Sequence, residues 1–119
     1  MIALARFIAT EGLMIIAFVS TQMRNICEDP ESADAYMGKA RAEAFRHRLA
    51  DISAAVTRAD LLVGNPTTGG ESGEELRISI GPRGTLVLAA NHLNMPLDQR
   101  GAVDWNKVAY VKVVKVELR

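Results

Sequence analysis

The spacing of apolar residues changes several times along this chain, and each change marks an element. "IIAFV" (15–19) is a continuous apolar run of strand length. In the following "STQMRNICEDP", Met23, Ile26 and Cys27 share one helical face, and Ser20 or Thr21 can cap its start. Asp29-Pro30 reads as a cap and first-turn proline. A longer amphipathic helix is expected to reach Ala55, with Gly38 as a break. Met37, Ala40, Ala44, Phe45, Leu49 and Ile52 form its apolar stripe, with Arg41, Arg48 and Asp51 off it. "TRADLLVGNPTTGGESGEE" has no extended period and reads as a long loop with a short turn around Leu61 and Leu62. "LRISI" alternates, with Leu76, Ile78 and Ile80 on one face. Gly81-Pro82-Arg83-Gly84 then turns the chain into "TLVLAAN". A second loop, "HLNMPLDQRGAVDWN", leads to a final strand. The predicted class is α+β: an antiparallel sheet of about four strands, with two helices on one face, in the order β-α-α-β-β-β.

The final strand, within "VDWNKVAYVKVVKVELR", does not keep a strand's two-residue period. One alternation joins Val108, Tyr110, Lys112, Val114, Val116 and Leu118; the other joins Ala109, Val111, Val113, Lys115, Glu117 and Arg119. Both faces are largely apolar, as in a strand inside a sheet, yet charges interrupt it.

Composition narrows the picture further. The chain has 119 residues, 49% of them hydrophobic and 24% charged, which suits one domain with its own core. The single cysteine, Cys27, excludes an intrachain disulfide and a thiolate zinc cluster, and reads as a small buried hydrophobe in a cytoplasmic protein. A net charge of zero argues against coating nucleic acid by charge alone. From Leu76 onward, however, seven basic side chains face three acidic ones, so a basic surface on the strand half is possible. The alternative is a set of solvated lysines that protect sheet edges. "MIALARFIATEGL" is interrupted by Arg6, Glu11 and Gly12, which argues against a transmembrane helix, and it lacks the layout of a signal peptide. Residues 1–13 are expected to be an extension dispensable for the fold. A single domain is expected over 14–119; the competing reading of the first residues is a short amphipathic helix from Ile2 to Thr10 docked on the body.

Three segments carry a resemblance: "MIIAFVSTQMRNICED", "YMGKARAEAFRHRLADISAA" and "GAVDWNKVAYVKVVKVE". Together they resemble the HigB/RelE superfamily of bacterial toxins, nearest the killer-protein branch of plasmid-maintenance (type II toxin–antitoxin) systems. The likeness covers 14–119, and the approach Asp104-Trp105-x-Lys107-Val108 to the last strand is its most specific piece. It implies a RelE/ParE-like fold whose last strand lies inside the sheet, and a ribosome-dependent mRNA endoribonuclease that inhibits translation. In that reaction the RNA's own 2′-hydroxyl attacks, so a base, an acid and a cation for the phosphorane are needed. The resemblance points to Arg83, His92 and Arg119 as catalytic candidates. Lys39, Arg41, Arg46, Arg48, Arg77 and Lys112 are candidate RNA contacts. Trp105 could stack on a base or anchor the edge of the core.

The implied partners are a cognate antitoxin, of helix-turn-helix type, and the ribosome with its mRNA; no cofactor, metal or membrane is expected. The chain departs from the family at three places. "NPTTGGESGEE" replaces a His-x-Leu-Lys-Gly-like stretch, Thr85 stands where an arginine opens the next strand, and the chain ends Glu117-Leu118-Arg119 without tyrosine or histidine. A catalytically degenerate RelE-like fold acting as a protein-binding module therefore stands beside the toxin, as does an α+β domain with an accidental likeness.

Overall fold

Ser20 starts the first helix: its Oγ accepts the Met23 N–H at 3.1 Å, opening α1 (Thr21–Glu28). Asp29 begins α2 (Pro30–Met37), its carboxylate accepting from the Ser32 hydroxyl at 2.7 Å and the Glu31 N–H at 3.4 Å. Gly38 ends α2 with φ +87° and donates its N–H to Asp34 O at 2.9 Å. Its own carbonyl accepts from Ala42 N at 2.9 Å and opens α3 (Lys39–Ala54). The computed structural model describes residues 14–55, 58–61, 64–81 and 84–118. Among them there are three helices, where two were expected. The left-handed glycine divides the long helix outright and resets its face. Ala42, Phe45 and Ile52 become α3's buried residues, while Ala40, expected in the stripe, is exposed.

The strands are β1 (Ile15–Phe18), β2 (Thr67–Gly69), β3 (Glu75–Ser79), β4 (Gly84–Ala90) and β5 (Tyr110–Leu118). They form one sheet in the order β1-β5-β4-β3-β2. The α+β class holds, but the sheet is mixed and five-stranded, not antiparallel and four-stranded. β1 runs parallel to β5, whereas the other neighbours are antiparallel. The pattern within a strand carries no information on the direction of its neighbour. A parallel pair needs only a long connection, which all the intervening elements supply. β2 escaped notice because three residues are too few to show a period; its pairing with β3 across the Gly70–Gly73 turn defines it.

A bulge explains the mixed pattern of β5. Val87 pairs with Lys115 and Leu88 with Val113, so Val114 has no counterpart. The extra residue shifts the alternation by one. Val111, Val113 and Val116 therefore all enter the core, while Lys112, Lys115 and Glu117 share the other face with the outward positions of β4 and β3. β5 is internal because strands lie on both sides of it, and only one of its faces meets the helices. The main core joins Leu76, Ile78, Leu86 and Leu88 with Phe45, Ile52, Met37 and Met23 from the helices, leaving the opposite face of the sheet uncovered by them. No described helix is long and apolar enough to cross a membrane.

Gly64 marks a tight approach of the long loop to the sheet. Its φ is +91°, and a Cβ there would lie 2.5 Å from Ile78 Cγ2 and 3.1 Å from Arg48 Nε. Gly64→Ala is expected to lower stability by more than about 1 kcal/mol, read from urea unfolding midpoints at constant slope.

Candidate functional site

The helix-free face of the sheet carries a linked cluster of charges. Thr67, Arg77, Val87 and Lys115 form one cross-strand row, and Ser79, Thr85 and Glu117 the next. Arg77 NH1 donates to Glu117 Oε1 at 2.8 Å, Lys115 Nζ meets Glu117 Oε2 at 3.1 Å, and Arg77 NH2 meets Glu75 Oε1 at 3.2 Å. Val87, flanked in its row by Arg77 and Lys115, is fully buried although it lies outside the main core. Beside this cluster a shallow cleft of about 230 Å³ is lined by Gly64, Asn65, Thr67, Arg77, Ser79 and Thr85. It combines a guanidinium, three hydroxyls and an amide, a set suited to an anionic, hydrogen-bonding ligand such as a phosphodiester.

The ammonium of Lys115 first, and then the Arg77 guanidinium, hold the Glu117 carboxyl below the usual glutamate range. Glu117 and Glu75 in turn hold Arg77 more firmly protonated. Glu117 is thus ionised in the folded chain at a lower pH than in the unfolded chain. Its stabilising effect is complete above the ordinary carboxylate value of about 4.3, and is lost as pH falls through the lowered one. The wild-type urea midpoint is expected to fall between about pH 6 and pH 3, and Glu117→Gln to reduce that slope. Equal slopes would show that the pairing is too weakly held to matter.

The sequence-derived catalytic candidates do not form one described cluster. Arg83 and Arg119 lie outside the described residues. Their chain neighbours Gly84 and Leu118 pair with each other at the end of the β4–β5 ladder nearest Thr85 and Glu117. His92 follows the other end. Its Nε2 accepts from Ala109 N at 3.1 Å and Tyr110 N at 3.3 Å, and its ring packs edge-on against Tyr110 at 5.0 Å. The seven residues of β4 separate the two ends by about 20 Å at about 3.3 Å per residue. His92 Nε2 is thus occupied in holding the start of β5, far from Glu117.

The candidate RNA contacts divide between two layers. Arg77 and Lys112 stand on the open face of the sheet. Lys39, Arg41, Arg46 and Arg48 belong to α3 on the opposite layer. Arg41 Nε donates to Met37 O at 2.9 Å, and Arg46 lies 3.6 Å from Asp34. Arg48 pairs with Asp51 at 2.9 Å and donates to Ser79 O at 3.3 Å, while Lys39 is exposed. Trp105 is buried, 6% exposed, with Nε1–H donating to Gly73 O at 2.6 Å; it anchors the core edge and offers no free ring for a base. Burial, and secondarily the Glu28 carboxylate, push the Cys27 thiol up to about 12, so it is no nucleophile at neutral pH.

Reading the sequence did not make Lys115, Glu117, Ser79 or Thr85 site candidates; Thr85 and Glu117 entered only as departures from the family pattern. The strand register that joins them to Arg77 depends on the bulge at Val114, which no local motif announces. The available signal was the pair of opposite charges Arg77 and Glu117, the first on the alternating strand "LRISI" and the second near the end of the final strand. Among the described residues no cluster of His, Cys, Asp and Glu is placed to hold a metal ion. No family model matches the chain, nor does any curated protein or solved structure.

Proposed function

We propose that this chain is a toxin-type domain of the HigB/RelE kind, with a RelE/ParE-like fold, which inhibits translation by ribosome-dependent cleavage of mRNA and is silenced by an antitoxin. The observation that carries the reading is the position of β5 between β1 and β4, with helices on one face only. The inner position of β5 is what the resemblance at 101–117 leads one to expect. The cluster at the carboxyl-terminal end of β5 supports it with suitable chemistry. Arg77 and Lys115 hold a phosphate, and Glu117 accepts the 2′-hydroxyl proton once the RNA draws the cations from it; the 2′-oxygen bonds to phosphorus as the bond to the 5′-oxygen breaks, and that leaving oxygen takes its proton from water. Arg83 and Arg119, next in the chain to Gly84 and Leu118, add positive charge for the phosphorane. His92 has no part in the chemistry.

A second reading has its own support. Glu117 is depressed in basicity by two cations, and His92 lies at the far end of the sheet. Both favour the same fold retained as a protein-binding module with catalysis lost. Induced expression in bacteria lacking the partner distinguishes the two, alongside cleavage of mRNA on purified ribosomes. The enzyme reading expects growth arrest, and a loss of cleavage of about 10²–10³-fold in Arg77→Ala, the scale for removing one positioned charge donor. Normal growth with folded, soluble protein and intact mRNA would establish the binding module instead.

A further inference from the structure

Glu117 joins two cations at once. Its Oε1 accepts from Arg77 NH1 at 2.8 Å, and its Oε2 meets Lys115 Nζ at 3.1 Å. One carboxylate thus bridges a guanidinium and an ammonium, one oxygen to each, as two oxygens of a phosphate would. Arg77 and Glu117 are 35% and 32% exposed, and ion pairs so open to water add little stability. Their position is more telling. Glu117 pairs with Thr85 in the row that continues to Ser79, and both of those hydroxyl residues line the cleft beside Arg77. Gly64, whose carbonyl accepts the Ser79 N–H at 2.8 Å, brings the loop with Asn65 to the same cleft.

We infer that Glu117 is an internal plug. Its carboxylate holds the place of a phosphodiester of single-stranded RNA on Arg77 and Lys115, and RNA binds only to the fraction of molecules in which that carboxylate has swung away. The inference rests on the reading of this face as a phosphate site and adds how the site is kept closed. Two features favour a plug over a plain surface ion pair. Arg77 already has another carboxylate, Glu75, whose Oε1 lies 3.2 Å from NH2, so Glu117 is not required to neutralise it. Glu75 stands on the other side of Arg77, in the row of Gly69, Ala89 and Lys112, and no member of that row lines the cleft. Of these two carboxylates, Glu117 is the one placed where a ligand in the cleft also reaches for the guanidinium. The hydroxyls of Thr67, Ser79 and Thr85 and the Asn65 amide offer an entering phosphodiester donors beyond the two cations.

The test is binding of a short fluorescein-labelled single-stranded RNA to the full-length protein, read by anisotropy at neutral pH and low salt, where phosphate contacts are strongest. A plug closed in about nine molecules of ten weakens binding about tenfold, and its removal restores that factor. Glu117→Gln and Glu117→Ala are therefore expected to bind about tenfold more tightly than wild type. Glu75→Gln removes the same charge away from the cleft and is expected to gain no more than about twofold. Arg77→Ala added to Glu117→Gln is expected to abolish the gain. Circular dichroism confirms the fold of each variant. Binding by folded Glu117→Gln that is no tighter than wild type would overturn the inference, as would no binding by either. So would an equal gain in Glu75→Gln, which would make the effect one of net charge, or a gain that survives Arg77→Ala. No cleavage is read, so the plug can fail while ribosome-dependent cleavage stands, and absence of cleavage leaves the binding comparison intact.

Discussion

Val113→Asp is expected to leave no folded protein. Val113 is fully buried and central, paired with Phe18 of β1 on one side and Leu88 of β4 on the other. An ionised carboxylate there would sit among the apolar side chains of the core, and the effective cost of burying an unpaired charge is several kcal/mol. The lost valine packing adds to that, and a domain of this size is stable by only about 5–15 kcal/mol. The adjacent Val114→Asp provides the contrast. Val114 is the bulged residue, only half-buried and without a β4 counterpart, so its carboxylate can reach water. Its cost is expected to stay near 1 kcal/mol. Soluble yield and far-ultraviolet circular dichroism separate the two. Similar losses in both would mean that the bulge does not set the register of β5.

The second large effect is at Trp105. Its indole is buried at the entrance to β5, and its N–H ties that entrance to Gly73 in the β2–β3 turn, where Val103 N also donates to Ser72 O at 2.9 Å. Trp105→Ala is expected to cost about 3–5 kcal/mol, the range for emptying a large aromatic site. Trp105→Phe keeps most of the packing but leaves the Gly73 carbonyl without its indole partner, at about 1–3 kcal/mol. Urea unfolding gives both values. If the two variants were equally destabilised, the hydrogen bond rather than the packing would be the main tie.

How much of this was legible in the sequence depended on the range over which each signal acts. Local signals read well. Ser20 and Asp29-Pro30 cap the helices they were expected to cap, and Leu76, Ile78 and Ile80 all point inward. The role of Gly38 was harder to read, because a left-handed glycine can kink a helix or separate two, and the choice lies in how α2 and α3 pack. Non-local facts did not read. β1 beside β5, β2 beside β3, and the Val114 bulge are pairing decisions between segments far apart in sequence. The apparent two-faced apolarity of β5 came from this: unbroken alternation across 110–118 mixes core valines with outward ones. The candidate site suffered most. Its members come from different strands, joined by register, whereas His92, expected as base or acid, follows the far end of β4.

Native-state hydrogen exchange on β5 tests the central claim most directly. With strands on both sides at 111–113 and β4 bonded along its length, the amides of Val111, Val113 and Val116 are expected to exchange only through global unfolding, each reporting the free energy that urea gives for the whole domain. The short edge strand β2 should open more readily. Exchange of the Val111 and Val113 amides as fast as that of the exposed 91–101 loop would mean that β5 is not an inner strand, and the toxin-type reading would lose its main support.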